Sequence, residues 1–335
     1  MTPAPVRWPD AADPAIRGDL TVAAAYVTPA GGAVVTSVSP VGLGDREAGR
    51  VGFTTSLGFP KKLEHILRNP HVSLAYHTRE HGFATTESYV LAQGTASVDL
   101  RPSPQRLAEL QLASEPFFGK TKRGPIWDWL LREYHQERVF VDVGIQRVAV
   151  WPDLAARGTV TVTGADRPEM PTEQKPPKNG TDPRVDVSAV ARRIGELPHR
   201  LLAYQGADGL PVIVPVAVTG HDDTGLHLDV PPGLLPSGGR RAGFLAHAFR
   251  PQCIGLGMRT LTGWLTVTDE GALYAPHTSK GLAAPPYKTL LTVSNGLLAK
   301  HGLRRARRDG TAEHLRQLAA GAAGARSEPP DARYR

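Results

Sequence analysis

The feature that most constrains this chain is that its second half repeats its first. Ala25-Tyr26, a turn and Val34 to Val38 correspond to Ala203-Tyr204, a turn and Val212 to Val216, at an offset of 178. Residues 71–78 resemble 241–249, matching His77 to His247 at 170. Gln93-Gly94-Thr95-Ala96 resembles Thr262-Gly263-Trp264-Leu265 at 169. Collinear order is what a duplicated supersecondary unit preserves. The offset falls by eight (178 less 170) between the third and fourth strand-like runs, about two helical turns. A helix of the first copy is therefore expected to be missing from the second.

Each copy reads as mainly β. Runs at 20–28, 33–39, 50–55, 71–78 and 88–99 are rich in Val, Ala and Thr, and Pro29-Ala30-Gly31-Gly32 closes a hairpin. Leu63, Ile66 and Leu67 share one helical face within 60–69, which stops before Pro70. Further helices are expected at 103–114 and 126–137, then strands at 138–143 and 146–151. Many short strands with sparse helices suggest a barrel. Residues 156–184 are crowded with Pro, Thr, Gly and Lys and have no apolar period, the texture of a mobile linker. The expected organisation is a first barrel over 1–155, the linker over 156–184, a degenerate second barrel over 185–310 and a flexible basic, Ala-rich tail over 311–335.

The formal charge is +7, with much of the excess at Arg304, Arg305, Arg307 and Arg308. Such a run reads as a solvated helix end, and no nucleic-acid-binding signature accompanies it, so nucleic acid is not an expected partner. No eighteen-residue apolar run exists, which excludes a spanning helix, and no membrane partner is expected. Residues 1–19 lack a secretory pattern, and the single cysteine, Cys253, cannot form an internal disulfide; together they point to the cytoplasm. Cys253 lies in a strand-like run, 252–258, as an inert buried thiol. No Cys/His spacing suits a metal.

The stretch Gly52-Phe53-Thr54-Thr55-Ser56-Leu57-Gly58-Phe59-Pro60-Lys61-Lys62-Leu63 carries the chemistry. A strand ends in three hydroxyl residues, turns at a glycine and enters a helix whose first turn holds two lysines. Hydroxyls and free N–H groups at a helix start form a phosphate cradle, and lysines add point charges. The helix dipole disfavours cations at that end unless an anion lies between them. A solvated loop with two surface lysines satisfies the same pattern.

The string Phe53-Thr54-Thr55-Ser56, then Lys61-Lys62-Leu63-Glu64-His65-Ile66-Leu67-Arg68-Asn69-Pro70-His71-Val72-Ser73-Leu74, followed by Tyr89 to Val98, resembles the pyridoxamine 5′-phosphate oxidase-like split-barrel superfamily of flavin and deazaflavin oxidoreductases. The resemblance covers about 22–151 and reaches the second half only as a faded copy. It implies a mainly β (α+β) fold of two tandem split β-barrels with a few helices. It further implies a bound flavin, FMN or the deazaflavin coenzyme F-420, acting on a small organic substrate by hydride transfer. Carried over by position, it places Thr54, Thr55, Ser56, Lys61 and Lys62 on phosphate or ribityl groups and Gln93 near the ring. Phe59-Pro60 beside the first lysine and the lack of a basic clamp near the C-terminus argue against vitamin B6 as substrate.

No catalytic residue stands out. His65, His71, His77 and His81 are candidate proton donors, with a packing or interface role favoured for His77 by its counterpart His247. Trp127 and Trp129 suit a core cap or a dimer face. In proteins of the family this chain resembles, substrate specificity lies in variable loops, which the resemblance sets here at 78–87 and 113–129. In the second copy, residues 229–241 hold three prolines and three glycines, which leaves little room for a helix, and Asp229 sits where an anion would bind. Arg240 and Arg241 could reach a phosphate only from another direction. One cofactor per chain is expected, completed by the second barrel as an intrachain pseudo-dimer or by a second subunit in a homodimer. The alternative is a non-enzymatic flavin- or haem-binding protein.

Overall fold

The computed structural model describes residues 5–120 and 124–327. The first copy comprises α1 (Asp13–Gly18), β1 (Val22–Val27), β2 (Ala33–Val38), β3 (Gly44–Asp45), β4 (Arg50–Ser56), α2 (Pro60–Arg68), β5 (His71–Tyr76), β6 (Tyr89–Asp99), α3 (Pro104–Phe118), α4 (Pro125–Gln136), β7 (Arg138–Trp151) and β8 (Thr161–Gly164). The second comprises α5 (Val187–Gly195), β9 (His199–Gln205), β10 (Pro211–Pro215), β11 (Ala217–Asp222), β12 (Gly225–Asp229), β13 (Gly238–Ala248), β14 (Gly257–Thr268) and β15 (Gly271–Ala283). Helices α6 (Lys288–Arg308) and α7 (Thr311–Ser327) close the chain.

The duplication is visible in the topology. One sheet runs β2-β1-β5-β6-β7-β4-β3 and the other β10-β9-β13-β14-β15-β12-β11, the same path strand for strand, every pairing antiparallel. Each is a split barrel, and the fold is mainly β. The registers reproduce the sequence offsets. Ala25 pairs with Ser73 as Ala203 pairs with Gly243, so β1 and β9 differ by 178 and β5 and β13 by 170. Ser73 pairs with Gln93 as Gly243 pairs with Thr262, which gives 169. Arg147 faces Gln93 as Thr278 faces Thr262, an offset of 131 for β7 and β15.

One refinement follows. Val51 pairs with Val143 and Leu226 with Tyr274, so β4 and β12 differ by 175. Of the eight residues missing from the second copy, three are lost before β12, and only five at the helix, not all eight as the sequence alone implies. Between β12 and β13 the chain indeed has no helix, so α2 has no counterpart.

Strand β1 is buried on both faces. Val22, Ala24 and Tyr26 point into the first barrel's core with Phe53, Leu74 and Val141, while Ala23 and Ala25 point into a core shared with the second barrel. A strand with no wet face has no reason to alternate, hence Val-Ala-Ala-Ala-Tyr-Val, and the alanines let the second sheet approach. Across that seam, first-copy side chains seal the outer edge of β10. Ser73 Oγ donates to Pro211 O (2.5 Å), Gln93 Nε2 to the same oxygen (2.6 Å) and Tyr89 OH to Ile213 O (2.7 Å). Edge carbonyls without such partners would be buried and unpaired.

Three expectations are corrected. Residues 138–151 form one strand, because the chain passes the glycine with a single bulged residue, Gln146, opposite Gln93 and Gly94, and pairing resumes on either side. The stretch 156–184 is tied along the seam, where a loose linker was expected. It adds β8 to β7, Gln174 N donates to Gly239 O (2.8 Å), Arg184 N donates to Pro276 O (3.0 Å), and Asp166 O accepts from Arg147 (2.8 Å). Pro and Gly signal absence of periodic structure, and backbone bonds to neighbouring strands immobilise the segment all the same. The expected tail 311–335 is helical over α7, with 328–335 outside the described residues. Leu303 of α6 and Leu315 of α7 are buried with Leu57, Leu63 and Ile66, so both helices belong to the first barrel's core.

The bulges occur at equivalent sites, Gln93/Gly94 and Thr262/Gly263. A Cβ on Gly94 would lie 2.0 Å from Gly144 O, and one on Gly263 2.1 Å from Ala275 O. Gly94→Ala and Gly263→Ala should each destabilise the protein by about 2–4 kcal/mol in denaturant unfolding, the range of severe backbone clashes. Gly195→Ala, where a Cβ meets nothing within 4 Å, should lie within about 0.5 kcal/mol of wild type.

Candidate functional site

At the end of β4 the pleat separates the three hydroxyl residues. Thr54 pairs with Phe140 and Thr55 with Val139, so Thr54 and Ser56 share one face while Thr55 is buried on the core face with Val139. The three do not converge on one point. Ser56 Oγ accepts from Gly58 N (3.1 Å), and Phe59 N donates to Ser56 O (3.0 Å), which turns the chain into α2. Pro60 takes the first helical position, and no side chain caps the first turn. The N–H groups of that turn have no side-chain acceptor.

Lys61 is exposed and Lys62 reaches back over β4. The Lys62 ammonium lies 5.5 Å from the ring centroids of both Phe53 and Phe59, and no carboxylate among the described residues pairs with it. Burial pulls its pKa down to about 8. One turn on, His65 stacks on Tyr26 at 5.9 Å, its Nδ1 is buried with no hydrogen-bond partner, and burial lowers its pKa as well. A cation without a carboxylate and an imidazole nitrogen without a hydrogen bond beside an uncapped helix start suit a bound anion.

Gln93 lies elsewhere. Thr54 stands opposite Phe140 on β7 and Gln93 opposite Arg147, seven residues further, or roughly 23 Å along the strand. Both ends of its amide are engaged at the seam, Nε2 by Pro211 O and Oε1 by Arg147 Nε (2.9 Å). Gln93, expected near the ring of a cofactor whose phosphate the lysines hold, has its amide engaged by both barrels at the seam. Beside it, Leu91, Trp151, Tyr204, Val214 and Leu234 enclose about 30 Å³, roofed by residues 167–171. That is room for roughly one water and for no ring system. Tyr204 and Val214 are the equivalents of Tyr26 and Thr36 at the 178 offset, so the chain itself fills the second copy's half of the seam.

Sequence reasoning missed the wall of the cradle. Helix α6 crosses the β4–α2 turn, and a Cβ on Gly302 would lie 3.0 Å from Gly58 Cα. Nothing local in Gly58-Phe59-Pro60 announces a helix arriving from 240 residues away. The loops expected to set specificity are pinned. Arg79 of loop 78–87 pairs with buried Asp19 (2.6 and 2.8 Å) and donates to Thr86 O and Ser88 O. The described part of 113–129 belongs largely to α3 and α4. Cys253 sits in a turn before β14, with Sγ 3.5 Å from Ser39 Oγ and its pKa raised to about 11 by burial.

The histidines are resolved by geometry. His77 and its counterpart His247 meet across the seam, Nε2 to Nε2 at 2.6 Å. His77 Nδ1 faces Ala75 O (2.9 Å), which accepts only, so that nitrogen carries the proton, His77 Nε2 accepts, and His247 Nε2 donates. Both rings are neutral. Burial drives His77 down to about 3 and His247 well below the ordinary histidine range. The interface reading of His77 fits this position. His81 packs edge-on against Phe249 at 5.9 Å, and His71 lies against Gly209 of the second copy.

No protein-family model matches the chain, and no curated relative matches it. Among solved structures, it is similar to a conserved hypothetical protein of Mycobacterium tuberculosis (18% identity over 47% of this chain and 91% of the other, TM-score 0.33). It is also similar to an F420 reductase (16%, 42% and 98%, TM-score 0.32) and to a heme binding protein from Mycobacterium smegmatis (15%, 89% and 99%, TM-score 0.31). With superpositions this loose, the fold rests on the strand order of the chain itself.

Because unfolded histidines take up protons below about pH 6.5 while the buried pair does not, stability falls as pH drops below that value. The loss runs at up to about 1.4 kcal/mol per pH unit for each histidine, down to about pH 3 for His77. Chemical denaturation between pH 7 and 4 should show this slope, and His247→Gln should remove about one proton's worth of it. An unchanged slope would place the two rings outside the titration.

Proposed function

We propose that this chain is an oxidoreductase that holds one phosphate-bearing flavin, FMN or the deazaflavin coenzyme F-420, with the phosphate at the start of α2. The observation that carries this reading is Lys62, a desolvated ammonium without a carboxylate partner at an uncapped helix N-terminus. A half-buried ammonium with no carboxylate beside it loses hydration that a bound anion would replace. Lys62 and the free N–H groups of the first turn of α2 would hold the phosphate, with Lys61 adding charge from the solvent side. Thr54 and Ser56, which share the outer face of β4, would meet the ribityl hydroxyls. A flavin supplies hydride transfer to and from a small organic substrate, and the protein supplies binding and orientation. The second barrel pairs with the first as a pseudo-dimer within one chain, in a reducing cytoplasm where Cys253 stays a free thiol.

The haem alternative finds less support in the side chains. His77 and His247 engage each other's Nε2, and His199 Nε2 is held by Glu80 at 3.2 Å. None of the three presents an unengaged Nε2 to a metal.

Native purification followed by mass spectrometry of the released ligand should yield one flavin or deazaflavin per chain. Lys61→Ala/Lys62→Ala should weaken its binding by about 3–6 kcal/mol, since charge-assisted hydrogen bonds contribute roughly 1.5–3 kcal/mol each. Unchanged affinity in that variant would remove the phosphate assignment. A second equivalent of similar affinity would contradict the filled second half of the seam.

A further inference from the structure

Residues 288–327, the α6–α7 hairpin, hold eight Lys and Arg against Asp309 and Glu313 alone. Eight less two leaves six of the chain's seven net positive charges on this one element. The sequence alone reads this run as a solvated helix end. The structure adds what stands beside it. On α6, the buried residues Gly296, Ala299, Lys300 and Leu303 face inward. At 100° per residue the opposite face carries Tyr287, Leu290, Leu297 and Leu298 along its first half and Arg304, Arg305 and Arg308 along its second. Helix α4 packs against α6 through Gly296 and Lys300 and leaves Ile126 and Trp129 exposed beside it. Lys300 Nζ lies 3.2 Å above the Trp129 ring centroid and fixes the two helices side by side. These six apolar residues are between 52% and 76% exposed.

We propose that this face of α4 and α6 is a docking surface for an anionic lipid bilayer, on which the protein rests without spanning it. Large exposed apolar side chains beside clustered arginines match the two layers of an anionic membrane surface, acyl boundary and head groups, and an indole and a phenol add groups that favour that boundary. No helix among the described residues is long and apolar enough to cross a membrane, so the contact is peripheral. A second copy is a poorer occupant. Parallel apposition of two α6 helices sets arginines against arginines, and antiparallel apposition buries arginines against leucines. Nucleic acid would neutralise the arginines but leave the leucine half wet. The docking face is independent of the cofactor reading, since it involves none of the cradle residues.

The test is co-sedimentation of the full chain with vesicles of phosphatidylcholine containing phosphatidylglycerol, against pure phosphatidylcholine. Binding should require the anionic lipid and fall with added salt. Arg304→Gln/Arg305→Gln/Arg308→Gln should lower the partition coefficient by about a hundredfold, and Leu297→Ser/Leu298→Ser by at least about tenfold. All five side chains are exposed, and unchanged melting temperatures would show both variants folded. Equal binding to both vesicle types, no binding to either, or vesicle binding unaffected by the leucine pair would overturn the proposal. So would binding to random duplex DNA that depends on the arginines but not the leucines, in the absence of vesicle binding.

Discussion

The contact between the two sheets is the constraint on which the rest of this molecule depends. Strand β1 has no solvent face. Its odd-numbered alanines lie against the second barrel while its even-numbered residues fill the first, so the second barrel's core is completed by side chains of the first. The same requirement explains the polar side chains at the seam. A buried edge strand leaves carbonyls without partners, and Ser73, Tyr89 and Gln93 are placed to satisfy two of them on β10. On the reciprocal side Gly243, the equivalent of Ser73, lies against Ala33, the equivalent of Pro211: a Cβ on it would be 2.5 Å from Ala33 O. One copy meets the contact with a hydroxyl, the other with close backbone approach.

Asymmetry between the copies has a physical direction. The first retains α2, two lysines at its start and a turn that α6 can cross. The second has lost five residues there and carries Asp229 where the register sets Thr54 in the first. The chain between the barrels then lies over the matching part of the seam, anchored by Arg147 to Asp166 O and by Gln174 to Gly239 and Arg241. The two copies thus differ at equivalent places, an open helix start in the first and a packed interface in the second. This is the expected result when two linked copies no longer need to be identical, since a packed apolar seam is more stable than an empty cavity.

The exposed face of α4 and α6 and the cradle meet on the same helix. Gly302 of α6 closes on Gly58, while Leu297, about 140° round the helix from it, and Leu298, one turn before it, are exposed. The helix therefore meets the β4–α2 turn at Gly302 along the flank of the stripe that presents apolar and basic side chains.

Much of this was legible in the residues. Repeats survive as offsets because strand register tolerates almost no slippage: a shift by one residue turns every side chain to the wrong face. Hence 178, 170 and 169, read from weak similarities, are the offsets that the hydrogen-bonded ladders show. Helix α2 was legible from Leu63, Ile66 and Leu67, and its loss in the second copy from three prolines and three glycines. The cradle residues were legible as types, because an uncompensated pair of lysines at a helix start is locally unfavourable. Long-range placement was not. Gln93 carries a polar amide suited to a ligand or to a carbonyl, and only the arrival of Pro211 from the second barrel assigned it to the seam. His77 and His247 became a neutral pair because folding removed water from both rings at once. The stretch 156–184 lacks periodicity and yet is held in place, since periodicity reports burial of a face and says nothing of backbone bonds made to other strands. Sequence alone determined the duplicated architecture and the chemistry available at each position; the tertiary structure decided which of those groups meet, because contacts across hundreds of residues leave no local pattern.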